Sequence, residues 1–186
     1  VVVGDAVAAK VGEQVLRDGG NAIDAAIASA FAAGICTPRN CGVGGYGGHA
    51  VVALADGRTV AAIDFNSTAP AAARPDMFPR DPQGKVIGQA NTFGWLAAGV
   101  PGTLAGLELT LRRFGTRSLR QTISPAIALC ESGRHVAAVK GIDDVGPASD
   151  PPAEQRRNRA LLGLLQTFAA RDSVDSFYRG DLAGTV

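Results

Sequence analysis

What this 186-residue chain has little of excludes several kinds of protein. It holds two histidines, one tryptophan and one methionine, and aromatic residues make up only 5% of it. His49 and His135 stand alone, and no Cys or His spacing matches a zinc site, so no metal centre is expected. His49, at the start of a strand-like run, reads as a packed or capping side chain. So few histidines leave little choice of general base, and the G-x-S-x-G of a serine-hydrolase elbow is missing. Three cysteines, Cys36, Cys41 and Cys130, cannot all pair and read as buried or semi-buried free thiols. A formal net charge of +1 gives no electrostatic case for nucleic acid. No apolar run reaches membrane length, and no charged-then-apolar signal segment opens the chain. The pair Asp143-Asp144 lies in a polar gap and reads as solvated loop.

What the chain has is small residues, 24 of them glycine, and they concentrate between Asp18 and Leu54. Asp5 is placed to cap a helix running to about Arg17, with Val7, Val11, Val15 and Leu16 at core spacing. Gly19-Gly20 ends it, because glycine enters the left-handed conformation of a C-cap without a Cβ clash. Asn21 then caps a second helix and Asp24 completes a capping box. From Ala22 to Ile35 this helix is apolar on every side, which predicts burial on all faces and close packing. Beyond Thr37-Pro38, Gly42, Gly44 and Gly47 spell G-x-G-x-x-G. A dinucleotide fingerprint needs a strand before it and a helix after it, the reverse of the order here. The track reads instead as a crowded turn where backbone passes close to backbone, and no cofactor is expected.

His49 to Leu54 and Arg58 to Phe65 read as a largely covered hairpin about Asp56-Gly57. Asp76 to Asn91 is a turn-rich excursion, with turns at Asp81-Pro82 and Gln83-Gly84, after which Phe93, Trp95, Leu96 and Val100 should return the chain to the core. Thr103 to Phe114 is a helix with Leu104, Leu107 and Leu111 on one side, closed by Gly115. Ser118 with Gln121 fits a capping box, and Pro125 suits the first turn of a further helix through Cys130, ended by Gly133. Arg159 to Ala170 is amphipathic through Leu161, Leu162, Leu165 and Phe168. A last helix is expected to begin at Asp181, and with Val1 in place of an initiator Met the chain reads as a fragment. Local patterning alone supports a mixed α/β chain.

Gly19-Gly20-Asn21-Ala22-Ile23-Asp24-Ala25-Ala26, Pro38 and the glycine track, then Asp64-Phe65 with Ala69-Pro70, resemble the start of the gamma-glutamyltransferase (glutathione hydrolase) family. Gly99-Val100-Pro101-Gly102-Thr103, Tyr178 and Gly180 continue the likeness in order. It spans nearly the whole chain, apart from about Val139 to Pro152, which reads as shortened.

The resemblance implies an αββα four-layer sandwich of the N-terminal-nucleophile hydrolase type, here incomplete. Residues 1–186 would be the N-terminal part of a large subunit, a single partial domain. In such enzymes a precursor cuts itself, and a threonine at the new N-terminus uses its own α-amine as base. Val1 is not such a residue and Thr185 lies too early, so no catalytic residue is expected in this chain. The implied partners are a small subunit from the same precursor and a small-molecule gamma-glutamyl or related amide substrate. The family carries an arginine after the phenylalanine, whose planar fork holds a carboxylate through two hydrogen bonds. Here the motif is Phe65-Asn66-Ser67-Thr68-Ala69-Pro70, with Asn66 in the arginine's place, and Asn66 and Ser67 are the candidate substrate contacts. An uncharged amide points to an acyl donor other than plain glutamate, so an acylase or a non-catalytic binding or scaffold relative stays as an alternative. The family places such proteins in the periplasm or outside the cell, while the residues themselves leave the cytoplasm open.

Overall fold

In the computed structural model, which describes residues 3–132 and 151–184, the chain divides into two compact units. One comprises Val1–Val43 and Leu107–Val186, the other Gly44–Gly106. Gly133, His135, Asp143, Asp144 and Thr185 lie outside the described residues.

The first unit is helical. α1 (Ala6–Arg17) starts at Asp5, whose carboxylate accepts from the N–H groups of Val7 and Ala8. Its buried stripe is Ala8, Gly12 and Val15, while Val7 and Leu16 are 37% and 41% exposed. The stripe expected from the valines is therefore rotated. Val15 and the partly buried Val11 still pack in the core, while the small Ala8 and Gly12 complete the buried stripe and allow close approach. α2 (Ala22–Cys36) opens on the expected capping box, with Asn21 Oδ1 accepting from the Ile23 and Asp24 N–H groups and Asp24 accepting from Asn21 N–H. Ala8 packs with Ala32 and Ala33, and Val15 with Ala25 and Ala28. Burial of α2 is not all round, because Ala22 and Ala26 are exposed in its first two turns. A four-residue helix, α3 (Pro38–Cys41), follows Thr37.

α4 (Thr103–Phe114), whose first turn belongs to the second unit, buries Leu104, Leu107 and Leu111, the three leucines its spacing predicted. α5 (Leu119–Glu131) begins at the predicted Ser118–Gln121 capping box. Pro125 is therefore inside this helix and starts none of its own. A proline there removes one helical hydrogen bond, and the capped first turn and the buried Leu119, Ile123 and Ala126 hold the helix across it. α6 (Pro151–Arg171) is longer than expected, because Pro151 and Pro152 occupy first-turn positions where a missing N–H costs nothing. Helices α1 and α5 pack on α2, and α6 on α5. α7 (Asp175–Arg179) ends at Gly180, and residues 181–184 form turns in place of the new helix expected from Asp181.

One buried carboxylate ties this unit together. Asp24 is 0% exposed and accepts from Thr116 N–H at 2.9 Å, Thr116 Oγ1 at 2.5 Å and Arg117 N–H at 3.1 Å, besides Asn21 N–H at 2.8 Å. Asn21 Nδ2 donates to Phe114 O at 2.7 Å and Arg117 Nη2 to Asp18 O at 2.7 Å, so the ends of α1, α2 and α4 meet there. Burial alone would raise the Asp24 pKa. The Thr116 hydroxyl and the N–H groups of Asn21, Thr116 and Arg117 outweigh it, and the net shift is downward.

The second unit is built on an antiparallel pair, β1 (His49–Ala53) and β2 (Val60–Asp64), in the register His49↔Asp64 to Ala53↔Val60. Asp56 organises the turn by accepting from the N–H groups of Arg58 and Thr59 and from the Thr59 hydroxyl. Only one face of the hairpin is covered, with Val52 and Ile63 buried. On the other face Val51 is 73% and Val60 69% exposed, which corrects the expectation of a largely covered hairpin. Phe93, Trp95, Leu96 and Val100 are likewise exposed, Trp95 at 91%, so the segment that should have rejoined the core lies on the surface.

Candidate substrate-contact site

The motif Phe65 to Thr68 leaves the end of β2 and runs between two glycine-bearing segments of its own unit. Phe65 N–H donates to Gly48 O at 2.9 Å, which extends the hairpin by one bond. A Cβ on Gly47, whose φ is +126°, would overlap the Phe65 carbonyl oxygen, and a Cβ on Gly102 would overlap the same atom from the other segment. Gly106, one turn into α4, has the Phe65 side chain where its own Cβ would be. The first two are backbone clashes that no rotamer change relieves, and the third is with the Phe65 side chain from its Cβ outward. The crowded turn expected of the glycine track is thus explained at Gly47, with α3 before the track and β1 after it.

Further bonds close the clamp. Thr68 and Val100 exchange two backbone bonds, Gly102 N–H donates to Tyr46 O at 3.2 Å, and the Thr103 hydroxyl donates to Gly45 O at 3.0 Å. Gly99 faces Ser67 and Thr68 closely enough that a Cβ would press on the serine side chain. The result holds Phe65 and half-buries Ser67 while leaving Asn66 exposed.

Asn66 is not isolated. Its N–H donates to Asp64 Oδ1 at 3.0 Å, and its Nδ2 lies 3.0 Å from His49 Nε2. His49 Nε2 is itself 3.5 Å from Asp64 Oδ1. His49 is therefore neither packed nor a cap, and its side chain is 66% exposed. Reading the residues one at a time missed this cluster. Counting outward equally from Asp56-Gly57 places His49 opposite Asp64, on the same face, and that signal was in the sequence.

Of the cysteines, Cys130 is buried and Cys36 half-buried, whereas Cys41 is exposed, with its Sγ 3.0 Å from the Thr37 hydroxyl. Burial, reinforced by the Asp5 carboxylate, pushes the Cys36 thiol up to about 11. No group of three His, Cys, Asp or Glu side chains among the described residues is arranged to hold a metal ion. No helix among them is long and apolar enough to cross a membrane.

An Asn-capped, alanine-rich helix in one unit and, in the other, a hairpin whose exit motif is clamped by glycines define a class that the comparisons with known proteins identify. The gamma-glutamyltranspeptidase family model matches residues 8–141, and the chain belongs to that family. It is 46% identical over 133 residues to the glutathione hydrolase proenzyme of Pseudomonas sp. (strain A14), covering 72% of this chain and 23% of that protein. It is 44% identical over 138 residues to the acylase ACY 1 proenzyme of Pseudomonas sp. (strain V22), covering 72% of this chain and 24% of that protein. Among solved structures, the gamma-glutamyltranspeptidase from Pseudomonas nitroreducens complexed with L-DON superposes with a TM-score of 0.75 at 27% identity, over 100% of this chain and 58% of that one. The chain thus spans about a quarter of the length of these two curated relatives.

Proposed function

We propose that this chain is the N-terminal part of the large subunit of a gamma-glutamyltransferase-like amidohydrolase. Its substrates are gamma-glutamyl or related acyl amides, and the nucleophile is a threonine carried elsewhere in the precursor and freed by self-cleavage. The partner is the small subunit of the same precursor, and together they complete a four-layer αββα sandwich. Asn66 and Ser67 contact the acyl donor.

The observation that carries this reading is the clamped motif itself. Three glycines give up their side chains to hold the Phe65 backbone and ring, and Asn66 at its tip is left exposed. A loop held so tightly with an exposed polar side chain at its end suits a contact surface on a rigid base. The uncovered hairpin face supports the sandwich, since a sheet face bearing Val51 and Val60 is stable when another layer covers it.

A second reading, an acylase with a non-glutamyl donor, draws on Asn66 in place of arginine and on the named acylase relative. The test of the first is expression of the complete gene product. It should cleave itself, and Thr→Ala at the new N-terminus should abolish both cleavage and hydrolysis of gamma-glutamyl anilides. Hydrolysis that survives that substitution would refute the mechanism.

A further inference from the structure

The corner occupied by Asn66 also contains a histidine, His49. His49 and Asp64 are cross-strand partners on the exposed hairpin face, with side chains 66% and 71% exposed. The other side chains of that face, Val51, Ala53, Val60 and Ala62, are apolar, so Asp64 is the charge that faces His49 there. His49 Nε2 and Asn66 Nδ2 lie 3.0 Å apart. Two side chains thus bring two nitrogens together, an amide donor and a ring nitrogen that donates or accepts according to its tautomer.

We propose that His49 is a specificity-determining residue of the donor subsite. With a proton on Nε2 taken from solvent and Asp64 as its counter-charge, it forms with Asn66 Nδ2 a pair of N–H donors for a carboxylate on the acyl group. This rests on the proposed reading of Asn66 and Ser67 as donor contacts, and it narrows the donor class to carboxylate-bearing acyl amides. Without ligand, the Asn66 amide N–H donates to Nε2, so imidazole and amide satisfy each other. An incoming carboxylate replaces that bond with one from each nitrogen. Asp64 stays in place because its Oδ1 also accepts from the Asn66 backbone N–H at 3.0 Å.

The experiment uses the complete gene product, with self-cleavage scored separately on a gel. Two donors are compared, gamma-glutamyl-p-nitroanilide and 4-aminobutanoyl-p-nitroanilide, which lacks the α-carboxylate. His49→Ala should raise KM for the glutamyl donor roughly tenfold with kcat within about twofold, and leave kcat/KM for the aminobutanoyl donor unchanged. His49→Arg, which restores a charged donor, should recover much of the loss. A purely structural role would lower both donors alike without rescue by arginine, and that result overturns the proposal. A cleaved His49→Ala enzyme with unchanged KM counts against His49 alone. A wild-type product that neither cleaves itself nor turns over either donor refutes the enzymatic reading, and this inference with it.

Discussion

Replacing Asp24 by asparagine changes neither the size nor the shape of the side chain and removes only its charge and one acceptor. In the native fold Oδ1 accepts from Thr116 N–H and Arg117 N–H, and Oδ2 from Asn21 N–H and the Thr116 hydroxyl. An amide oxygen left at the Oδ1 position keeps its two backbone donors. The amide nitrogen then faces the Asn21 N–H, which cannot rotate away, while the Thr116 hydroxyl can turn to accept. One buried N–H loses its partner and the remaining bonds lose their charge assistance, a cost of about 2–3 kcal/mol. Asp24→Ala leaves all three N–H groups unmatched and should cost about 3–5 kcal/mol. For a cooperative unit of this size each kcal/mol lowers Tm by about 2–4 °C, so Asp24→Asn should lose roughly 5–10 °C by calorimetry of the full-length protein. The pH dependence has a definite sign. The folded pKa lies below the ordinary 3.8, so the stabilisation is complete above that value. The advantage of wild type over Asp24→Asn should therefore shrink as pH falls through the folded pKa. A Tm within about 1 °C of wild type at neutral pH would show that the four bonds do not hold the helix ends together.

Three further predictions follow from other parts of the chain. Ala25, 1% exposed against Val15 and Ala28, should not accept leucine without roughly 1–3 kcal/mol of overpacking, whereas Ala26→Leu, on the exposed side, should stay within about 0.5 kcal/mol; equal effects in denaturant unfolding would contradict the packing described. Gly106→Ala would ordinarily favour a helix by about 1 kcal/mol, yet here its Cβ meets Phe65, so the expected sign is reversed, to a loss of roughly 1–3 kcal/mol, and a stabilised variant would refute the clamp. Iodoacetamide at pH 8 should label Cys41 in the folded protein and spare Cys36, whose thiol is raised to about 11, with peptide mass spectrometry as the readout and equal labelling as the contrary result.

How much of this was legible in the sequence depended on how local the physics is. The boxes at Asn21–Asp24 and Ser118–Gln121 involve residues three apart, and both formed as read. The leucine stripe of α4 and the hairpin about Asp56-Gly57 also needed only neighbouring positions. Pro125 was misplaced because a proline suits a first turn, and nothing local says that a capped helix already under way will carry it. Burial failed more widely. Phe93, Trp95, Leu96, Val51 and Val60 are apolar enough for a core, but what covers a residue is decided by segments distant in sequence. The knot at Asp24 joins residues more than ninety apart, so its capping role could be read and its bonds to Thr116 and Arg117 could not. At the candidate site Asn66 was noticed for departing from a motif, whereas His49 needed the strand register as well.

The proposed threonine nucleophile, carried elsewhere in the precursor, is best tested by N-terminal sequencing of the mature protein made from the complete gene. Two polypeptides are expected, one containing this chain and the other beginning with threonine. A single uncleaved polypeptide that hydrolyses gamma-glutamyl amides would contradict it.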